Sequence, residues 1–434
     1  MKVSFTTLGC RLNQAESDSM AEDLTTQGIE AAGRDESPDM VVINTCTVTR
    51  EATKASRQAI RRAVKHNPDA KVVVIGCYAV SNPDEIEAIE GVDAILSNDD
   101  KENFLEALGR RPQPLLQLGI RGSSEPSLPY RVRANLKAQT GCDEWCSFCI
   151  IPTTRGPLRS LDEDALVEEA RAKVRAGARE IVLTGVHLGK YRYDQGGDEG
   201  DLIRLMERLL EIDGVWRLRL SSILCEHLTE EVVDFIAAEP RVCRFLHVPL
   251  QAGDDAVLRA MNRPYDSAGY LESVGRASSR IEGLALATDV IVGFPGETEE
   301  AFEATMDLVR ELRFSKLHVF RYSARPDTAA ARMTDLELPG DVKRARSKRL
   351  IELGNAIRSD FLSAHIGASL EVLVEEERDV DGTMVCSGQT DDFVRVWFEN
   401  HEGGSLLGRM ALVEGVRTRA DGLEARLRNE GTGH

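Results

Sequence analysis

Six of the nine cysteines fall into two groups of three, and thiolates are both soft metal ligands and nucleophiles. Cys142, Cys146 and Cys149 form a C-x3-C-x2-C loop in "GCDEWCSFCIIPTTRGP". Three is an awkward number for disulfides, which pair, and for a closed structural metal site, which takes four ligands. An iron-sulfur cubane held by three thiolates keeps one iron open, and an open position separates a catalytic metal site from a structural one. A zinc knuckle completed by a distant His or Cys is the alternative. Cys10, Cys46 and Cys77 lie far apart in sequence, yet each closes an apolar run: "KVSFTTLGC", "MVVINTC" and "KVVVIGC". The carboxyl ends of strands in an open parallel sheet line one crevice, so three such cysteines converge on a second metal site. Three separately buried thiols would be the plainer explanation. Cys225, Cys243 and Cys386 fit neither group and read as packing residues.

The elements that must position these groups are legible as periodicity. At 434 residues the chain has room for about three domains. Residues 1–130 repeat a strand-then-helix unit, giving an open parallel α/β domain. "GRRPQPLLQLGIRGSSEPSLPYR", 109–131, loses periodicity and reads as a linker. Residues 131–365 hold six strand-like runs, "RANLKAQ", "EIVLTG", "WRLRLSS", "FLHVPLQ", "ATDVIVGFPG" and "KLHVFRYS", separated by amphipathic helices. Six units predict a partial (β/α)6 barrel, with the C-x3-C-x2-C loop after its first strand, at the face where barrel active sites form. "DVKRARSKRLIELGNAIRSDFLSAHIG" predicts one long helix ending at Gly367. Residues 366–434 turn abruptly to short alternating strands, a small OB-like β-barrel that reads as a separable module.

A formal net charge of −18 excludes a general polyanion binder, so any nucleic-acid contact must use local patches. One such patch is 49–66, where Arg50, Lys54, Arg57, Arg61, Arg62 and Lys65 face only Glu51, a net of +5. A second is the run Lys343, Arg344, Arg346, Lys348 and Arg349. Residues 366–434 carry 7 Arg and no Lys against 14 Asp and Glu, a net of −7, which leaves Arg395, Trp397, Arg409 and Arg417 to contact RNA there. Apolar runs stop far short of the roughly 18 residues a membrane span needs, and the first residues read as a strand. The expected location is the cytoplasm, where nine cysteines are not structural disulfides.

With Phe148 before its last cysteine, the loop resembles the signature of radical S-adenosylmethionine enzymes. "TLGC", "NTCTV", "GCY", "GCDEWCSFCIIPTTRGPLRS", "HVPLQAGDDAVLRAMNRPY" and "DVIVGFPGETEEAF" are similar to the methylthiotransferase family over nearly the whole chain. The resemblance implies two [4Fe-4S] clusters. One is on Cys142, Cys146 and Cys149, with S-adenosylmethionine on its free iron, and an auxiliary one is on Cys10, Cys46 and Cys77. It implies Phe148 near the adenine, Thr184 and Gly185 near the amino group of S-adenosylmethionine, and a TRAM-type C-terminal domain. It also implies tRNA as partner and a low-potential electron donor such as a flavodoxin or ferredoxin. "CRLNQAES", Cys10 to Ser17, resembles the branch acting on C2 of N6-threonylcarbamoyladenosine. The other branches modify isopentenyladenosine in tRNA or a ribosomal-protein aspartate. A buried substrate carboxylate demands a cation, for which Arg155 and Arg321 are the candidates. Leu224 and Cys225 stand where the family has Glu-Pro, with Glu226 a replacement carboxylate, and Arg321 stands where it has Pro. From other classes, an iron-sulfur electron carrier and an RNA-binding scaffold with structural clusters compete.

Overall fold

The N-terminal strands carry apolar residues at consecutive positions, which only a sheet covered on both faces can bury. The computed structural model describes residues 1–33, 36–108, 131–401 and 403–428, so the expected linker at 109–130 lies outside the described residues. The chain divides into two compact units.

The first unit joins the residues before the undescribed segment to Gln139–Arg159 and Ser323–Ala331. Its sheet is parallel, with β1 (Lys2–Thr7), β2 (Glu30–Ala31), β3 (Met40–Thr45), β4 (Lys71–Gly76) and β5 (Ala94–Ile95) in the order β2-β1-β3-β4-β5. Alternation along β3 and β4 sends Val42, Val73 and Ile75 to one face, against Met20 and Leu24 of helix α1 (Arg11–Thr26). Val41, Ile43, Val72 and Val74 go to the other face with Ile60 of helix α2 (Arg50–His66). Because Gln139–Arg159 packs in this unit, a boundary drawn along the sequence at 130 does not separate the two cysteine groups.

In the second unit the six expected strands form two parallel three-stranded sheets. One is Arg133–Lys137, Glu180–Thr184 and Arg217–Leu220; the other is Phe245–His247, Ala285–Val292 and Lys316–Arg321. Single parallel bridges, Leu218 to Val242 and Ser222 to His247, join them edge to edge. The long helix spans Gly340–Ser363 and stops short of Gly367. Gly367 adopts φ +77° and donates its N–H to the Gly415 carbonyl at 2.8 Å, turning the chain into the next strand. Five strands, Ser369–Val380, Thr383–Gln389, Arg395–Asn400, Met410–Arg419 and Gly422–Leu427, then close a barrel in the order 1-2-3-5-4.

This β-barrel is not loosely attached. Arg217 donates to the carbonyls of Gln389 and Glu371 at 2.8 and 2.9 Å, and Arg219 to those of Thr390 and Asp391 at 3.0 and 2.8 Å. Arg219 also stacks on Phe393 and holds both oxygens of the buried Glu180 at 2.6 and 3.2 Å. Barrel carbonyls thus satisfy donors of strand Arg217–Leu220 that would otherwise be buried alone, which bears on the expectation of a separable module.

Candidate metal centre

β1, β3 and β4 are neighbours in the sheet, and Cys10, Cys46 and Cys77 sit just beyond their carboxyl ends. Cys46 follows Thr45 directly, Cys77 follows Gly76 directly, and Cys10 is the N-cap of α1. Close approach explains the glycines before two of them. Gly9 adopts φ +97°, and a Cβ there would lie 2.9 Å from Cys46 Sγ; Gly76 adopts φ +100°, and a Cβ there would meet the Thr45 carbonyl at 2.5 Å. The Cys46 thiol is pushed up to about 11, chiefly by burial, with Cys77 and Cys10 contributing in the same direction. Two buried thiols and an exposed one at neighbouring strand ends fit a cationic metal core, which would hold them as thiolates and offset the repulsion between them.

The loop of Cys142, Cys146 and Cys149 is held by its own backbone. Cys142 N–H donates to the Gly156 carbonyl at 3.2 Å and Cys149 N–H to that of Cys146 at 3.0 Å, while Ile151 N–H reaches Cys149 Sγ at 3.5 Å. A backbone donor on sulfur suits a cluster-bound thiolate. The thiol of Cys142 is pushed up to about 11 by burial, with Cys146, Glu144 and Asp143 adding repulsion. Segment Ser323–Ala331 braces this loop and the turn after Cys46 together. Ala330 N–H donates to the Ser147 carbonyl at 2.8 Å, and the buried Arg325 donates to the Thr47 carbonyl at 3.1 Å. Among the described residues no disulfide joins any of the cysteines, and Cys225, Cys243 and Cys386 are buried.

Behind the first triad lies a polar network that sequence reasoning missed. Asn13 Nδ2 donates to the carbonyls of Leu8 and Thr45 at 2.7 and 3.0 Å, pinning the backbone ahead of both Cys10 and Cys46. Asn44 Nδ2 donates to the Asn13 carbonyl at 2.9 Å, and Thr45 Oγ1 to the Ile75 carbonyl at 2.6 Å. Ser56 Oγ brackets Cys46, accepting from its N–H at 3.1 Å and donating to its carbonyl at 2.9 Å. Asn13 Oδ1 and Glu16 accept from Arg155, and Glu16 also accepts from Lys101 at 2.5 Å. Asn13 and Glu16 belong to "CRLNQAES", so this stretch shapes the cysteine pocket. The signal available in sequence was a polar run, Asn13, Gln14, Glu16 and Ser17, on a helix whose Asn13, Glu16 and Ser17 are buried.

Arg155, expected at a substrate carboxylate, is thus committed elsewhere: its side chain is 1% exposed and its donors go to Glu16, Asn13 and Thr140. Phe148 is half-buried beside Cys149. In the second unit Thr184 ends its strand, buried, with Gly185 following, and Arg321 is exposed at the end of Lys316–Arg321. Where the sequence departs from Glu-Pro, Cys225–His227 forms a 3-10 turn that sets Glu226 beside buried His227, 3.7 Å away, with His187 edge-on at 5.1 Å. Nothing in the sequence had drawn attention to a second polar group on these strands: His247 bridges Ser222 at 2.5 Å and Asp289 at 3.0 Å.

The expected basic patches divide. Arg346 is buried against Glu297 and Glu299, Arg349 pairs with Glu299 and Glu303, and Lys343 pairs with Glu337, so most of that run holds its own unit together. On α2, Arg57 pairs with Glu85, whereas Arg50, Lys54, Arg61, Arg62 and Lys65 are exposed in the turns that follow Cys46. On the barrel, Trp397 lines a groove of about 490 Å³ and carries Arg419 and Arg395 over its ring at 4.6 and 5.6 Å.

Family models match this chain twice: Uncharacterized protein family UPF0004 over residues 2–97 and the Radical SAM superfamily over residues 136–309. A Bacillus subtilis protein named threonylcarbamoyladenosine tRNA methylthiotransferase MtaB is 38% identical over 424 residues, covering 95% of this chain and 93% of its own. The Aquifex aeolicus protein of the same name is 36% identical, covering 87% of this chain and 93% of its own. A Sorangium cellulosum protein named tRNA-2-methylthio-N(6)-dimethylallyladenosine synthase is 34% identical, covering 98% and 93%. Among solved structures, the radical S-adenosylmethionine methyltransferase TsrM from Kitasatospora setae shares the fold at TM-score 0.56 and 17% identity, over 76% of this chain and 77% of that one.

Proposed function

Because the chain belongs to the radical S-adenosylmethionine methylthiotransferase family, we propose that it inserts a methylthio group at C2 of N6-threonylcarbamoyladenosine in the tRNA anticodon loop. The observation that carries this reading is the gathering of both cysteine triads into one compact unit, with Cys10, Cys46 and Cys77 at three adjacent strand ends. Radical SAM membership brings one [4Fe-4S] cluster and S-adenosylmethionine, for which Cys142, Cys146 and Cys149 are the fitting ligands. Phe148, Thr184 and Gly185 are assigned to S-adenosylmethionine. The second [4Fe-4S] cluster is assigned to Cys10, Cys46 and Cys77, whose pocket supplies three thiols and a buried cation. Bound there, these groups supply the one-electron chemistry that opens an aromatic C–H bond, a task beyond any side chain.

The chain's own contribution is placement. Holding both centres in one unit makes sulfur transfer a matter of proximity, and backbone hydrogen bonds around Cys46 and Cys142 fix the ligand positions in advance. The six parallel strands are assigned to a partial barrel and the closed five-stranded one to a TRAM-type RNA-positioning domain. The exposed cations of α2 suit a phosphate backbone, and Trp397, with Arg395 and Arg419 over its ring, separately offers an aromatic and cationic contact of the kind single-stranded nucleic acid uses. An anticodon loop is already single-stranded, so presenting its base needs no duplex opening. The reading includes a low-potential donor of the flavodoxin or ferredoxin kind and a cytoplasmic setting. Among the described residues no helix is long and apolar enough to cross a membrane.

Similarity to the Sorangium protein sustains a second reading, in which the substrate is isopentenyladenosine. Expressing the chain in a bacterium lacking tRNA methylthiolation, then digesting its tRNA for mass spectrometry, separates the two. We expect 2-methylthio-N6-threonylcarbamoyladenosine. The isopentenyl product, or modification confined to a ribosomal protein, would overturn the substrate while leaving the family chemistry intact.

A further inference from the structure

Charge does not balance in the pocket behind Cys10, Cys46 and Cys77. Arg155 and Lys101 are both buried, and the carboxylate that holds both is Glu16, itself buried with Arg155 Nη1 and Nη2 at 2.7 and 3.2 Å from its oxygens. Each of the three side chains is at most 3% exposed. Two cations on one anion leave a surplus positive charge, and an uncompensated buried charge is strongly destabilising. Beyond Glu16, Arg155 feels the sulfurs of Cys77 and Cys10, and its charge in turn favours the thiolate of Cys46. Cys77 also acts on Lys101. The missing negative charge is therefore expected from the cysteine side of the pocket.

We propose that Arg155 is a positioning residue for the Cys10–Cys46–Cys77 centre, compensating the net negative charge of a cluster held there by three thiolates. Its geometry is set from both sequence regions that the centres use. Arg155 ends the short helix Ile151–Arg155, directly after the loop of Cys149, and its guanidinium is clamped by Asn13, the side chain that pins the backbone before Cys10 and Cys46. A second link runs through Asn98, which donates to the Thr154 carbonyl at 2.7 Å and toward Cys77 Sγ at 3.8 Å. A guanidinium keeps its charge under any condition the protein meets, so it supplies a constant field. That field favours the more negative, reduced form of the cluster, and so raises its reduction potential.

The proposal rests on the assignment of a second cluster, so its test begins from full-length protein in which Cys142, Cys146 and Cys149 are alanine. Iron content and a reductive titration followed by electron paramagnetic resonance then report the Cys10–Cys46–Cys77 centre alone. Arg155→Met should lower the midpoint by at least a tenfold change in the oxidised-to-reduced ratio, about 59 mV for a one-electron couple. Glu16→Gln, which deletes the opposing charge, should raise it, and Arg155→Lys should stay near the parent while binding less iron. A merely structural arginine would not give shifts of opposite sign. Unchanged midpoints in Arg155→Met and Glu16→Gln at full iron content would overturn the proposal alone. A parent protein that binds no iron would overturn the second cluster and the proposal with it. Should Arg155→Met fail to fold, the Glu16→Gln midpoint decides: a rise supports the proposal and no change refutes it.

Discussion

Two buried arginine–glutamate centres, one in each unit, resemble each other in geometry and differ in electrical balance. Arg219 meets Glu180 through two hydrogen bonds, and its remaining donors go to the Thr390 and Asp391 carbonyls beneath a stacked Phe393 ring. Arg155 meets Glu16 in the same forked manner, but Glu16 is shared with Lys101 and three thiols stand alongside. Arg133 also reaches Glu180, at 4.0 Å, but is itself paired with Glu375 at 3.6 Å, and a charge-matched, saturated group of this kind specifies how two segments fit together. An unbalanced one carries a standing charge that a further charged group would neutralise, so it marks a place where the protein expects something to bind.

Breaking the balanced pair should cost most. Arg219→Met leaves Glu180 buried, with Arg133 no nearer than 4.0 Å, and should lower stability by about 3–5 kcal/mol in urea denaturation. Iron content in the folded fraction should not change. Deleting residues 367–434 removes the carbonyls that Arg217 and Arg219 use, so soluble yield should fall with it. Normal yield and an unchanged midpoint for this truncation would return the β-barrel to the status of an independent module.

A smaller loss is expected from the unbalanced centre when it is empty. Arg155→Met leaves Glu16 paired with Lys101 and removes the surplus charge, so the metal-free protein should lose at most about 1–3 kcal/mol, the cost of the orphaned Asn13 and Thr140 acceptors. Loaded with iron, the same variant should lose more, because the cluster's charge is then unmatched. Equal losses with and without iron, measured by thermal unfolding, would erase the contrast drawn between the two centres.

The smallest effect concerns His365, after the long helix, whose Nε2 meets Asp392 at 2.6 Å. Burial alone would lower its pKa, but the Asp392 hydrogen bond and charge outweigh that and raise it. The stabilisation is therefore complete below the ordinary histidine value of about 6.5 and is lost as pH rises through the raised folded value. Parent protein should lose on the order of 1 kcal/mol across that window relative to His365→Gln. Parallel pH profiles for the two proteins would show that the pair contributes nothing.

Much of the fold was legible because strand and helix periods are local. The runs of β3 and β4, buried on both faces, and the six strands of the two parallel sheets in the second unit follow from patterns a few residues long. The two cysteine triads were legible by type and spacing, and strand order then brought Cys10, Cys46 and Cys77 to adjacent strand ends.

Residue types and local periods thus determined by themselves that the chain carries two three-thiol groups and parallel α/β architecture. Tertiary structure alone decided how the charges are spent. Arg155 and Glu16 lie 139 residues apart, and Arg219 and the Thr390 carbonyl 171 apart, so no sequence window contains either pair. For the same reason the basic run from Lys343 to Arg349 resembled a nucleic-acid patch until Glu297, Glu299, Glu303 and Glu337 were found against it. An arginine in sequence is a charge without an address: desolvation and the partner that folding delivers determine whether it binds substrate, joins segments or faces a metal centre.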